Sequence, residues 1–182
     1  MSKTFSIGGI HPHDNKISKD AAIENFPLVE TAYISMSQHL GAPAEPIVAK
    51  GDKVKAGQLI AKASGFISAN IHSSVSGTVR SVELLPDLAG NQVQHVVIDV
   101  EGDEWVDTID RSNEILRDIK LSKEEIIKRI AECGVVGLGG AAFPTHIKLT
   151  PPPVKVADVL LINGSECEPY LTSDYRIMLE NP

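Results

Sequence analysis

The chain has 182 residues, of which 42% are hydrophobic, 23% charged and 4% aromatic, and its formal net charge is −7. That length can bury a real core, as one generous domain or two small ones. The negative charge repels phosphate backbones and the few aromatics offer no stacking platform, so nucleic acid is not an expected partner.

Residues 1–26 read as an extended arm holding Gly8-Gly9 and His11-Pro12-His13. The H-x-H spacing could seat a metal, but no third ligand lies near, and a turn with solvent-facing histidines explains it. Between 27 and 103 come the short runs LVETAYISMS, EPIVAKGDKV, GQLIAKA, SGTVRSVEL and VQHVVIDV, separated by Gly, Pro, Asn and Asp. Short strands at this spacing predict a small sandwich or barrel. In the last run Gln94, Val96, Ile98 and Val100 form the apolar face, which leaves His95 toward water.

After Asp110 the pattern becomes helical and polar. Ser122-Lys-Glu-Glu125 has the capping-box form, and Ile126, Ile130 and Cys133 recur on one stripe with Ile127 and Ala131 widening it. Gly134 stands where a C-terminal cap belongs, so Cys133 reads as a buried small residue closing the stripe. The glycine-rich GVVGLGGAAFPTHIKL (134–149) follows, and then the breaker run Thr150-Pro151-Pro152-Pro153. VADVLLIN (156–163) reads as a strand covered on both faces, leading into NGSECEPY and a helical tail, SDYRIMLE. Residues 111–182 thus predict the opening of an α/β domain. One buried strand cannot make a doubly covered sheet, so the chain is expected to be a fragment or to receive strands from elsewhere.

Two isolated cysteines fit a reducing compartment, and no apolar run approaches the ~18–20 residues of a spanning helix. The expected piece is soluble and intracellular, with any membrane attachment made through partners.

The glycine-rich stretch admits several phosphate-binding patterns. A Walker A loop needs Gly-Lys-Ser/Thr at its end, and no lysine directly follows these glycines. Gly137-x-Gly139-x-x-Ala142 satisfies the dinucleotide fingerprint, but that fingerprint follows a strand and here a capped helix precedes it. Pro144 also falls where the fingerprint's helix should already run. A cradle of backbone amides around Gly137, Gly139 and Gly140 is the better match, with Pro144 at the first helical position and Lys148 supplying a full charge. A glycine hinge with a solvated Lys148 fits the spacing equally. Spacing alone leaves both open.

GLGGAAFPTHIKL and INGSECEPYLTSDYRIMLE closely resemble the RnfC family of the Rnf electron-transport complex. More distantly they resemble the FMN- and NADH-binding subunit of respiratory complex I, whose loop reads G-R-G-G-A-G-F-P-T-G-x-K and whose later segment reads N-A-D-E-x-E-P. GGIHPHDNK, QHLGAPAEPIVAKGDKVKAGQLIA and HSSVSGTV also look like RnfC, so the resemblance covers essentially the whole chain. It implies an ion-translocating ferredoxin:NAD+ oxidoreductase subunit that passes electrons between NAD(H), FMN and two [4Fe–4S] clusters. It also implies a peripheral place on the cytoplasmic side of the cell membrane, with the other Rnf subunits as partners and ferredoxin an indirect one.

Carried over by position, the resemblance gives Gly137, Gly139, Gly140, Lys148, Asn163, Ser165 and Glu166 to FMN, and Phe143 and Glu168 to NAD. It implies no catalytic side chain and no metal ligand in this chain. Leu138 stands in place of the complex I arginine, and Ser165 in place of its aspartate. Each cluster needs four cysteines, so two isolated ones hold none; the cluster motifs and the rest of the flavin site are expected beyond Pro182. The isolated chain is accordingly expected to bind FMN weakly or not at all, and to be inactive alone.

Gly51-Asp52-x-Val54-x-x-Gly57-Gln58 followed by Ser76-Gly77-Thr78-Val79 is also the punctuation of biotinyl and lipoyl carrier domains. The tip that would present their modified lysine, Gly65-Phe66-Ile67-Ser68, has none, and Lys62 lies too early. The expected fold is therefore mixed α+β and α/β: an arm (1–26), a hammerhead-like barrel-sandwich module (27–103) that docks neighbouring subunits, and the start of an FMN-binding domain (111–182). His72 is expected to be structural. A non-catalytic docking subunit and a related flavin-dependent cobalamin reductase are the alternative readings.

Overall fold

The longest pairing in the chain is an antiparallel hairpin of β6 (Gly77–Pro86) and β7 (Gln92–Val100), running from Gly77 opposite Val100 to Pro86 opposite Gln92. The register slips between Val79 and Ser81, which makes Arg80 a bulge residue. β1 (Thr31–Ser35) adds to the far edge of β7, and the short β3 (Lys53–Val54) to the free edge of β6. A second sheet joins β2 (Glu45–Pro46), β4 (Leu59–Lys62) and β5 (Ile71–His72). This computed structural model describes residues 12–112, 114–152 and 157–181.

Both sheets feed one core. β1 alternates Ala32 and Ile34 inward with exposed Tyr33 between them, the period-2 pattern of a half-buried strand. Val54, Ile60, Ala61, Ile71, Val79, Val96 and Ile98 join them from the other strands, with Met36 just past β1. Short strands occupy 27–103 as expected, and β5 adds one that the apolar runs do not separate from its surroundings.

His95 differs from expectation: it is buried, with Nδ1 2.9 Å from the Val93 carbonyl oxygen. Val97 on the same face is buried as well. Alternation ranks the two faces of a strand and does not report what lies over the weaker one.

α1 (Lys123–Glu132) begins and ends as its sequence specifies. Glu125 N–H donates to Ser122 Oγ (3.2 Å) and Ser122 N–H to the Glu125 carboxylate (2.7 Å), a complete capping box. At the other end Gly134 N–H reaches Ala131 O (3.1 Å) and Val135 N–H reaches Ile130 O (3.3 Å), the paired bonds of a glycine C-cap. The expected helix before Ser122 is absent: residues 114–121 carry none, and Ile115, Leu116 and Ile119 are exposed. A short helix with no packed face does not recover its nucleation cost. Cys133 is exposed rather than buried, because α1 lies on the surface with no fully buried residue. α2 (Thr145–Lys148) is a single turn, and α3 (Ser173–Glu180) is the predicted tail helix.

The described part of VADVLLIN, 157–163, forms no strand, and Val159, Leu160, Leu161 and Ile162 are 71% to 87% exposed. A doubly covered strand needs ladder partners, and among the described residues none pairs with it. Val156, like His11 of the H-x-H triplet, lies outside the described residues; His13 is exposed.

The chain divides into two compact units, one of residues 27–157 and one in which the arm (to Phe26) joins the segment from Asp158 onward. In the smaller unit Lys16 Nζ donates to Leu171 O (2.5 Å) and Ser18 Oγ lies 2.8 Å from Thr172 Oγ1. Ile23 N–H meets the Glu180 carboxylate at 3.0 and 3.1 Å, and Arg176 bridges Glu180 to the Lys19 carbonyl oxygen. The described part of the arm, from Pro12, belongs to this unit.

Ile98→Ala should cost about 2–5 kcal/mol in urea unfolding of this chain, the usual range for truncation of a core side chain. Leu160→Ala should stay within about 0.5 kcal/mol, as for an exposed position. Equal costs would mean that 157–163 is packed after all.

Candidate functional site

The glycine-rich stretch is a closed loop with a hydrogen-bonded neck. Val136 bridges Pro144 in antiparallel fashion, Gly137 N–H donates to Phe143 O (3.0 Å), and Thr145 N–H donates to Val135 O (2.9 Å). Pro144 is fully buried at that neck and half-buried Phe143 precedes it. The tip, 138–142, stands beyond the last of these bonds.

Lys148 curls back from the end of α2 to the neck. A Cβ on Gly137 would sit 2.5 Å from Lys148 Nζ, inside the contact distance of any real side chain. Glycine at 137 leaves room for the ammonium there, and a side chain at that position would push the flexible lysine tip aside. Among the described residues no carboxylate pairs with this ammonium, so its charge is left for something else. A Cβ on Gly140 would meet nothing within 4 Å, so the tip faces open space there. An ammonium beside an open, side-chain-poor backbone fits an anionic phosphate.

Two details of the expected cradle change. Gly137 spends its N–H on Phe143 O, so it shapes the neck and does not offer that amide to an anion. Pro144 is the cap residue rather than the first helical one, and α2 is only four residues long. One turn aligns too few peptide dipoles to add much, so the positive charge comes chiefly from Lys148.

Ala142 adopts φ +49°, a left-handed conformation that costs a residue with a Cβ about 1–2 kcal/mol. The complex I loop has glycine at the matching place. Exposed Leu138 occupies the position of that loop's arginine and contributes no charge.

The second group of predicted residues belongs to the smaller unit. Asn163 Oδ1 accepts from Ser165 N–H (3.0 Å), a side-chain turn that orders the start of the motif. The Glu166 carboxylate accepts from Tyr175 N–H (3.0 Å) in the first turn of α3. It thereby caps that helix from outside, a task invisible in the sequence. Glu168 is exposed, and only its carbonyl oxygen is engaged, by Leu171 N–H at 3.3 Å. Gly137, Gly139, Gly140, Phe143 and Lys148 thus share one unit, and Asn163, Ser165, Glu166 and Glu168 the other.

His146, inside α2, was not singled out by the sequence. Its Nδ1 is buried without a hydrogen-bond partner among the described residues, and burial holds the imidazole below its ordinary pKa. His72 in β5 is lowered for the same reason.

A β-rich module is followed by a glycine loop with a lysine at its neck, and comparison gives the class of each part. The RnfC barrel sandwich hybrid domain model matches residues 3–103, and the Nuo51 FMN-binding domain model matches 130–182. The chain belongs to the RnfC family.

It is 49% identical, over its whole length, to the C subunit of the proton-translocating ferredoxin:NAD(+) oxidoreductase complex of Clostridium ljungdahlii, of which it spans 39%. It is 44% identical over 94% of its length to the Na(+)-translocating counterpart of Acetobacterium woodii, spanning 38% of that protein. The C subunit of an ion-translocating oxidoreductase complex of Rhodobacter capsulatus is 43% identical over 98% of the chain, which spans 34% of it.

The lowered pKa of His146 means that the unfolded chain takes up a proton before the folded one as pH falls. Its stability contribution is complete above about pH 6.5 and is lost below that value. Urea midpoints measured from pH 7.5 to 5.5 should fall less steeply in His146→Gln than in the parent chain. Ala142→Gly should raise stability by about 0.5 kcal/mol, since relief of the left-handed cost outweighs glycine's ~0.4–1 kcal/mol of added unfolded-state entropy. A loss in the same urea assay would contradict the strained loop.

Proposed function

We propose that this chain is the N-terminal part of an NADH- and FMN-binding, iron–sulfur subunit of an ion-translocating ferredoxin:NAD+ oxidoreductase. The observation that carries the reading is Lys148 Nζ lying against Gly137 in a closed loop, within the segment matched by an FMN-binding domain. Lys148 would hold the flavin phosphate, with the backbone at Gly139 and Gly140 around it and Gly137 keeping the lysine's path clear. Asn163, Ser165 and Glu166 complete the proposed flavin side. Phe143 and Glu168 face the nicotinamide nucleotide, and exposed Glu168 keeps its carboxylate for ribose hydroxyls.

A bound flavin supplies exchange between two-electron and one-electron carriers, and the protein's part is to bind and orient it. Two [4Fe–4S] clusters belong to the proposed full-length protein and are not ligated by this chain; among the described residues no group of three or more His, Cys, Asp or Glu side chains is placed to hold a metal. The partners are the other subunits of the complex, with NAD(H) as substrate and ferredoxin reached indirectly. The place is the cytoplasmic face of the membrane, held peripherally; no helix among the described residues is long and apolar enough to cross it. The proposed modules are the arm (1–26), the barrel-sandwich module (27–103) and the start of the flavin domain (111–182).

Titration of the full-length protein with FMN, followed by flavin fluorescence, should saturate at one equivalent. Lys148→Ala should weaken it about 10- to 100-fold, the loss expected for one hydrogen bond to a charged group. Absence of saturable binding, or no change in Lys148→Ala, would overturn the assignment. The isolated 182-residue chain should bind weakly or not at all.

A further inference from the structure

The glycine loop is fastened to the β-module at two places. Asn70, just before β5, uses both ends of its amide: Nδ2 donates to Glu132 O in the last turn of α1 (3.1 Å), and Oδ1 accepts from Ala63 N–H after β4 (3.0 Å). The helix cap then lies flush on the same residue. Gly134 has φ +65°, and a Cβ there would overlap the Asn70 carbonyl oxygen. On the other side of the tip, Leu40 N–H donates to Ala142 O (3.3 Å). The two fastenings are themselves joined, since buried His39 accepts from Ala69 N–H at Nε2 (3.2 Å). Residues 39–40 and 69–70 therefore form one patch that holds the loop before its neck and at the last residue of its tip.

The junction is not packed solid. A cavity of about 230 Å³ lies within it, lined among others by Gln38, Asn70, His72, Gly134 and Val136. With space between the surfaces, placement rests on the few polar bonds and on the close approach at Gly134. The neck from Val135 to Thr145 is closed by its own hydrogen bonds, so a shift at Gly134 is passed on to the tip and to α2.

We propose that Asn70, acting through Gly134, is a positioning residue for phosphate binding: the β-module sets where the glycine loop and Lys148 stand. This rests on the flavin-phosphate reading above. Asn70 touches α1 and not the ligand. Plain packing between two parts of a unit would instead affect folding and every ligand alike.

Asn70→Asp separates these roles. It keeps an acceptor for Ala63 N–H and turns a charged carboxylate oxygen toward Glu132 O in place of the donor; Gly134→Ala attacks the same contact from the other side. The measurement is the affinity of the full-length protein for FMN and for riboflavin, which lacks the phosphate, together with the melting temperature. Each variant should weaken FMN about tenfold, as for one lost hydrogen bond, and leave riboflavin within about twofold. If one variant does not fold, the other decides. Parallel loss of both ligands, or a lower melting temperature with an unchanged FMN-to-riboflavin ratio, overturns the proposal. A parent protein that does not prefer FMN to riboflavin overturns the flavin-phosphate reading itself, and this inference with it.

Discussion

The larger unit depends on one shared core between two sheets that are too small to stand apart. The three-stranded sheet has strands of two, four and two residues, and such a sheet cannot be stable in water by itself. It persists because Ile60, Ala61 and Ile71 interlock with Ile34, Val79, Val96 and Ile98 of the larger sheet. Dispersion and water exclusion across that contact fix the places of Ala69 and Asn70. Those places in turn set the surface on which the helix cap and the glycine loop rest. A hydrophobic contact remote from the glycine loop is in this sense the foundation of the loop's geometry.

The loop shows how one glycine serves a purpose that a motif does not express. A phosphate-binding pattern treats each glycine as an amide made accessible. Gly137 here has committed its N–H to the neck, and its missing side chain makes room for an ammonium. Charge from one flexible lysine replaces what the arginine of the related loop would add, and it replaces the weak dipole of a one-turn helix. In the proposed flavin site the arrangement would concentrate phosphate affinity in a single side chain.

Much of the β-module and all of the capping of α1 was legible, because those features are local. Ser122 with Glu125, Gly134 after the last helical turn, and alternation in TAYIS each need only neighbours within a few residues. The glycine loop was marked by its glycines and by family resemblance, although spacing by itself left a hinge open. His95 was misjudged because alternation cannot report what covers the weaker face of a central strand. VADVLLIN has the composition of a doubly covered strand, yet composition cannot supply hydrogen-bonding partners. Cys133 failed for a related reason, since a helical stripe predicts a buried face only where another element covers it. The external cap from Glu166 and the two-ended grip of Asn70 join residues 7 to 62 positions apart, and nothing in the local sequence marks them.

The arm's attachment to the segment after Asp158 has a consequence for synthesis. Lys16, Ser18, Lys19 and Ile23 find their partners in residues that follow 154 to 157 positions later. A ribosome extends the chain at about 5–20 residues per second, so the arm is out for many seconds before its docking surface exists. During that interval the β-module between them, whose named strands all lie within residues 31–100, can already close. The arm is made well before its partners and settles only once they are made.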